Sequence, residues 1–361
     1  MARILFYVDQ FYLGGGSRVA SILINGLIER NHDVFVLTDT SKPFTYKLKQ
    51  ETTIIGCKLE DDSKGGIRRF VSRLKRMRNQ IKNYNPDVII AFLANEFFEI
   101  YLASFGLGIP IIASDHTSMG RDLGPRINFI RKRLYSLAKH TTILTKKDFK
   151  ILGKRNSGKI VIYNPLTFEP VDKMPLKEKT ILCVGRIDAW EVKGFDIMLK
   201  IWSKINNQFP EWTLKIAGPG SEDSICILKQ MINELNCEDS VILLGQVNDM
   251  EYEYYKAAIF ALSSRVEGFP MVLTEAMSQG CACISFEMQG AVKEIITNEV
   301  DGIIIKDRDE NVFTNKLAQL IHQNNYRLTL GKSAINNVKK FSTTHFMEKW
   351  ETIINSALKK R

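Results

Sequence analysis

Two glutamates, Glu267 and Glu275, bracket Gly268-Phe269-Pro270-Met271-Val272-Leu273-Thr274, a segment that reads as a loop running into a helix. Pro270 suits the first turn of that helix, where its missing N–H is not needed. The amides of Met271, Val272 and Leu273 then lack internal acceptors and can meet the oxygens of a diphosphate. Glu267 falls in the loop and Glu275 more than a turn inside the helix, so both can face one ligand from opposite ends. A carboxylate in the second position accepts paired hydroxyls, and ribose offers two. Glutamates near helix starts are common, so neither carries the argument alone; the constellation does.

Cations stand nearby in the same half. Val184-Gly185-Arg186-Ile187-Asp188 closes a strand and Lys193-Gly194-Phe195-Asp196 opens a helix. Ligands of open α/β sheets bind at this edge, which places Arg186 and Lys193 to neutralise an anion; two unrelated surface cations would look the same in isolation. In the first half Gly14-Gly15-Gly16-Ser17-Arg18 lies between a strand ending at Val8 and a helix over Val19–Glu29. Glycines there let a phosphate approach the backbone, but the third glycine of a dinucleotide fingerprint is missing, so a permissive turn is the other reading. His116, in Ile112-Ala113-Ser114-Asp115-His116-Thr117, ends a strand at the same edge, and catalytic and structural roles weigh equally.

The elements that must hold these residues follow from periodicity. Short Val- and Ile-rich runs alternate with helical segments, the pattern of a parallel sheet covered on both faces. The predicted strands are Arg3–Val8, Val34–Leu37, Thr53–Cys57, Asp87–Phe92, Ile109–Ala113, Thr141–Leu144 and Ile160–Tyr163, then Thr180–Val184, Trp212–Ala217, Ser240–Leu244, Ile259–Leu262, Cys281–Ser285 and Gly302–Ile305. That is two Rossmann-like units in tandem, 1–165 and 166–342, joined by a segment in which Pro165, Pro170 and Pro175 forbid helix and central strand. A last helix over Thr343–Leu358 carries Phe346, Trp350, Ile353, Ile354 and Leu358, a stripe too apolar for a free tail.

Composition bounds the rest. At 361 residues, 45% apolar and 25% charged, the chain is an ordinary globular protein of two-domain length. No apolar run spans a bilayer and no signal-peptide pattern opens the chain, which predicts a cytoplasmic protein, or one peripheral on the inner face of the cytoplasmic membrane. Six cysteines without paired CxxC spacing read as reduced core residues. The net charge of +10 is concentrated: residues 1–170 hold 27 Lys and Arg against 15 Asp and Glu, the remainder 23 against 25. The first half therefore faces something anionic, whether a lipid surface, a pyrophosphate-linked acceptor or nucleic acid.

The Glu267/Glu275 pair around Gly268-Phe269-Pro270 resembles the E-x7-E motif of the retaining glycosyltransferases of family GT4, which have the GT-B fold. The Gly14–Gly16 loop, Gly185-Arg186 with Lys193-Gly194, Gly218-Pro219-Gly220, Leu244-Gly245 and the Gly280 region are similar to that family in the same order. The resemblance spans the chain and is strongest in the second half. It implies two Rossmann-like domains facing an interdomain cleft, with the C-terminal helix, about 343–361, crossing back to the first. It implies further that Arg186 and Lys193 hold the donor diphosphate, Glu275 the ribose and Glu267 the donor sugar. Gly15 and Gly16 would close over the phosphates, His116 would contact the sugar, and the backbone at Gly245–Val247 would face the base, with Phe269, Pro270, Met271 and Val272 at the diphosphate.

The sequence departs from the family where Ala189-Trp190-Glu191-Val192 lengthens the gap before Lys193, where Cys281-Ala282-Cys283 replaces a small-Pro-Val stretch, and at Ser17-Arg18. The implied reaction moves a hexose or N-acetylhexosamine from a nucleotide-diphosphate sugar, UDP by family frequency, to a glycan or polyprenyl-diphosphate-linked acceptor, with retention. The departing phosphate accepts the acceptor's proton. No cofactor or metal is implied, and Asp307-Arg308-Asp309, although it spells D-x-D, reads as a solvated turn. An amphipathic helix over Ile67–Tyr84 has Ile67, Phe70, Val71, Leu74, Met77 and Ile81 on one face and Arg68, Arg69, Arg73, Lys75, Arg76, Arg78 and Lys82 elsewhere. It reads as a core helix with a basic outer face or as a contact with an anionic membrane. A second basic group is Arg121, Arg126, Arg131, Lys132 and Arg133. The alternatives are a nucleotide-sugar epimerase of the same fold and a nucleic-acid-binding protein. Charge alone suggests the latter, since no reading motif or interleaved aromatics accompany it. A dinucleotide oxidoreductase is least favoured, for want of its glycine fingerprint.

Overall fold

Val88-Ile89-Ile90-Ala91-Phe92 has no polar residue to show to water, and the strand it forms is buried at every position in the middle of a parallel sheet. The structure, a computed structural model, describes residues 1–11, 14–41, 43–56, 66–153, 158–288 and 290–359; Cys57, one of the predicted core cysteines, lies outside them. The chain divides into two compact units, Met1–Pro165 with Thr343–Arg361, and Leu166–Ser342.

The first unit is built on strands β1 (Arg3–Tyr7), β2 (Asp33–Thr38), β3 (Thr53–Gly56), β4 (Val88–Phe92), β5 (Ile111–Ser114), β6 (His140–Ile143) and β7 (Lys159–Val161). They run parallel in the order β3-β2-β1-β4-β5-β6-β7. The second is built on β8 (Glu178–Val184), β9 (Thr213–Ala217), β10 (Val241–Gly245), β11 (Ala257–Leu262), β12 (Ala282–Phe286) and β13 (Ile303–Ile305), in the order β10-β9-β8-β11-β12-β13. Each order reverses between a unit's first and fourth strands. A crevice forms outside the carboxyl ends of the strands at such a switch point: beyond β1 and β4 in one unit, beyond β8 and β11 in the other.

Helices cover both sheets. In the first unit Gly15–Glu29 packs against the terminal helix Thr343–Leu358, where the bare Cα of Gly26 admits Met347; an added Cβ would lie 2.6 Å from its sulfur. Trp350 and Ile354 of the terminal helix are buried in this unit, and His32 Nε2 lies 3.1 Å from Glu351 Oε1.

Three sequence expectations are corrected here. The helix Ile67–Tyr84 fully buries only Met77 and Ile81, with Leu74 packed against the same core, while Ile67 is 84% and Val71 42% exposed, so its stripe meets the core over its later turns alone. Arg131 is not a surface cation: it is 4% exposed and donates to both oxygens of Asp115 at 2.8 and 2.9 Å. Cys226 lies exposed on the helix Glu222–Glu234, whereas Cys183, Cys237, Cys281 and Cys283 are buried free thiols.

Candidate functional site

In the second unit β8 and β11 deliver their loops to the switch point together. After β8 come Gly185 and an exposed Arg186, whose guanidinium has no hydrogen-bond partner among the described residues. A short helix, Trp190–Lys193, then ends at Gly194 in the left-handed region, φ 68°. Glycine is required there, since a Cβ would meet the Ser263 carbonyl oxygen at 2.1 Å. This close crossing brings Lys193 to the loop that follows β11. Lys193 Nζ donates to Glu267 Oε1 at 2.8 Å, and Ser264 Oγ donates to the same oxygen at 2.9 Å. An ammonium carries three N–H bonds, so Lys193 can grip Glu267 and still donate to an incoming anion.

The next helix is Met271–Ser278, with Pro270 as its N-cap and not inside its first turn. The amides of Met271 and Val272 occupy the first two helical positions, where the helix itself offers no acceptor. The expectation for Leu273 is corrected: its N–H bonds the Pro270 carbonyl at 3.0 Å, because the turn starts tightly. The Phe269 ring is buried edge-on against Phe341, centroids 5.4 Å apart. Glu275 is 3% exposed, with Thr167 Oγ1 donating to Oε1 at 2.8 Å and Tyr254 OH to Oε2 at 2.9 Å. These donors fix the orientation of the carboxylate, whose two oxygens offer about four acceptor positions. Gly245 ends β10 with φ 64° and open space where a side chain would stand, its carbonyl bonded to the Gly218 amide, and Val247 follows in the next loop.

The first unit gathers its own group. Gly15 and Gly16 are the first two residues of the helix Gly15–Glu29, which starts earlier than its periodicity suggests. A Cβ on Gly16 would stand 3.7 Å from His116 Cβ, so the glycine turn and the histidine are neighbours. The His116 ring stacks on Phe92 with centroids 4.7 Å apart. Burial pushes its pKa down to about 4, against the opposing effects of Asp115 and Asn164. Thr142 Oγ1 donates to Ser114 Oγ at 2.8 Å, which leaves the Ser114 hydrogen for His116 Nε2 at 2.9 Å. The neutral ring then carries its proton on Nδ1, a buried atom on the side of Asn164. Asp115, clamped by Arg131 and by Tyr135 OH at 2.7 Å, anchors the loop. A cavity of about 220 Å³ at the same switch point is lined by Tyr7, Asp9, Asn95, Glu96, Glu99 and Arg126.

Asp309 of the D-x-D triplet caps the helix Glu310–His322, accepting from the Asn311 and Val312 amides at 2.9 and 3.0 Å. Among the described residues no three His, Cys, Asp or Glu side chains converge in a way that could hold a metal ion. Sequence reasoning missed Thr167, Tyr254, Ser264 and Arg308. Only Ser264 left a trace, three residues before Glu267; the others reach the site from distant elements.

Comparison with known proteins agrees with this layout. The family model described as Glycosyltransferase Family 4 matches residues 13–166, and Glycosyl transferases group 1 matches 167–337. The chain is 28% identical to a Campylobacter jejuni protein named GalNAc-alpha-(1->4)-GalNAc-alpha-(1->3)-diNAcBac-PP-undecaprenol alpha-1,4-N-acetyl-D-galactosaminyltransferase, covering 98% of each chain. It is 27% identical to the amylovoran biosynthesis glycosyltransferase AmsD of Erwinia amylovora, covering 98% of this chain and 100% of AmsD. Anabaena HepE, solved in complex with UDP and glucose, superposes with a TM-score of 0.82 at 17% identity over 99% of this chain and 100% of HepE; that likeness establishes the fold.

Proposed function

The chain belongs to the group 1, family 4 glycosyltransferases, and from that premise we propose that it transfers a hexose or N-acetylhexosamine from a UDP-sugar, with retention and without a metal, to a lipid-linked glycan acceptor at a membrane surface. The observation that carries the donor half is the convergence of Lys193 and Ser264 on Glu267 beside the exposed Arg186. Arg186, the remaining N–H bonds of Lys193 and the Met271 and Val272 amides bind the diphosphate, and they stabilise the charge that grows on it as the glycosidic bond breaks. Glu275 holds the ribose and Glu267 the sugar hydroxyls beside the reacting carbon. The base lies along the backbone of Gly245–Val247. The family resemblance carries Gly15, Gly16 and His116 over as donor contacts, with the His116 ring neutral at pH 7. The leaving phosphate takes the acceptor's proton, so attack occurs on the face it vacates and no enzymic nucleophile is needed.

The acceptor end rests on the first unit. The cavity between Tyr7, Asn95 and Glu99 suits a hydroxyl-rich sugar, and the buried Asn95 Oδ1 lacks a protein donor. The lipid-linked class of acceptor is supported by the undecaprenol-linked substrate named for the C. jejuni relative and by the exposed Ile67 and Val71 among the arginines and lysines of their helix. No helix of the described residues is long and apolar enough to cross a membrane, so contact with a bilayer would be made by such a face.

The test is a panel of UDP-glucose, UDP-galactose, UDP-N-acetylglucosamine and UDP-N-acetylgalactosamine scored by thermal stabilisation, then by transfer with and without EDTA. A donor at a hundredfold its Kd adds about 2.7 kcal/mol of stability. Transfer survives EDTA, and Arg186→Ala lowers it by roughly 10²-fold while the protein stays folded. Unchanged turnover in that variant removes the diphosphate assignment, and donor consumption without transfer favours an epimerase.

A further inference from the structure

Asp309 of the D-x-D triplet caps a helix, and the middle residue, Arg308, touches the donor loop. Asp307 and Arg308 both stand in the left-handed region, φ 53° and 55°, a conformation that non-glycine residues seldom adopt, least of all in succession. The turn that results aims the Arg308 side chain across the carboxyl end of the sheet. There Nη1 donates to the Ser264 carbonyl at 3.0 Å and Nη2 to the Ser263 carbonyl at 3.2 Å, with the guanidinium 4.7 Å from the Phe286 ring centre. Ser263 Oγ donates to the Lys193 carbonyl at 3.2 Å, and Ser264 Oγ holds Glu267. Two consecutive carbonyls turned to one planar fork fix the backbone just where β11 ends.

We propose that Arg308 is a positioning residue of the donor site, pinning Ser263 and Ser264 so that their hydroxyls hold Lys193 and Glu267 at transfer geometry. The proposal rests on the donor-site reading above. No described carboxylate lies within ion-pair distance of the guanidinium, so its bonds to the loop are not those of a surface salt bridge. A lysine in its place keeps the charge but supplies a point donor, unable to bridge both carbonyls in a fixed plane.

The experiment compares wild type, Arg308→Ala, Arg308→Lys, Ser264→Ala and the Arg308→Ala/Ser264→Ala double variant. It uses the UDP-sugar that the panel identifies, with UDP affinity measured by calorimetry. Both Arg308 variants are expected to lose at least tenfold in kcat with acceptor KM within twofold of wild type, and lysine does not rescue. The double variant is expected to lose no more than the worse single one. If Arg308→Lys restores wild-type kcat, charge and not the fork matters and the proposal is overturned. Losses that multiply in the double variant, or a folded Arg308→Ala with wild-type kcat, overturn it too. Should Arg308→Ala fail to fold, Arg308→Lys decides alone. A wild-type protein that turns over no nucleotide sugar defeats the donor-site reading itself, a result distinct from all of these.

Discussion

His116 is a residue whose environment sets its chemistry. With a pKa lowered from 6.5 to about 4 by burial, it stays neutral through the physiological range and can act as a hydrogen-bond donor but not as an acid. The same shift ties it to stability. Between about pH 6.5 and pH 4 the unfolded chain binds a proton that the folded chain refuses, so this contribution is whole above pH 6.5 and drains away as the pH falls toward 4. At 1.36 kcal/mol per unit, about 2 kcal/mol should go between pH 7 and pH 5. Urea unfolding of wild type and His116→Gln at both values checks this: the variant should lack that part of the pH dependence, and parallel profiles would show that the ring titrates normally. As candidates, Glu267, Glu275 and Lys193 were legible from their types and spacing. The partners of Glu275 were not, because Thr167 lies 108 residues away and Tyr254 21, and only the folded sheet brings them to one carboxylate. Arg131 was misjudged for the same reason: a cation in a basic run carries no mark of the buried Asp115 that claims it.

At the scale of elements, the strands were readable because both faces of a parallel sheet are covered. Val88–Phe92 and Ala257–Leu262 are apolar throughout, and their ends fall within two residues of the expected positions. Helix starts were harder. Gly15 and Gly16 have no propensity that announces a first turn, and Pro270 stands one position outside its helix. Two glycines separate the demands of contact and conformation. Gly194→Ala must thrust a methyl against the Ser263 carbonyl, 2.1 Å away, and should cost roughly 3 kcal/mol or more as well as donor turnover. Gly245→Ala has a similar φ of 64° but open space, so only left-handed strain remains, about 1 to 2 kcal/mol. Equal melting temperatures for the two variants would contradict this account of the β8–β11 crossing.

For the whole molecule, charge and order are divided between the units. The basic excess belongs to the first 170 residues, where Ile67, Val71, Phe105 and Phe129 are exposed at 84, 42, 67 and 57%. If this unit meets a bilayer, the protein should co-sediment with vesicles containing anionic phosphatidylglycerol and not with pure phosphatidylcholine. Reversing Lys75 and Lys82 to glutamate should weaken binding roughly tenfold or more, at about 1 kcal/mol per surface cation. Equal partition onto both vesicles would end the membrane reading. The linker prolines and the apolar terminal helix could be read from sequence and its return to the first unit from the family resemblance, but its individual contacts, Gly26 among them, could not. That helix also dictates an order of events at the ribosome. The first unit lacks its closing wall until Thr343–Leu358 emerges, and residues 166–342, an entire second fold, are made in between. At 5 to 20 residues per second the gap lasts roughly ten to forty seconds. During that interval the nascent first unit exposes the apolar groove that Met347, Trp350 and Ile354 will later fill, a surface that chaperones would be the ones to shield.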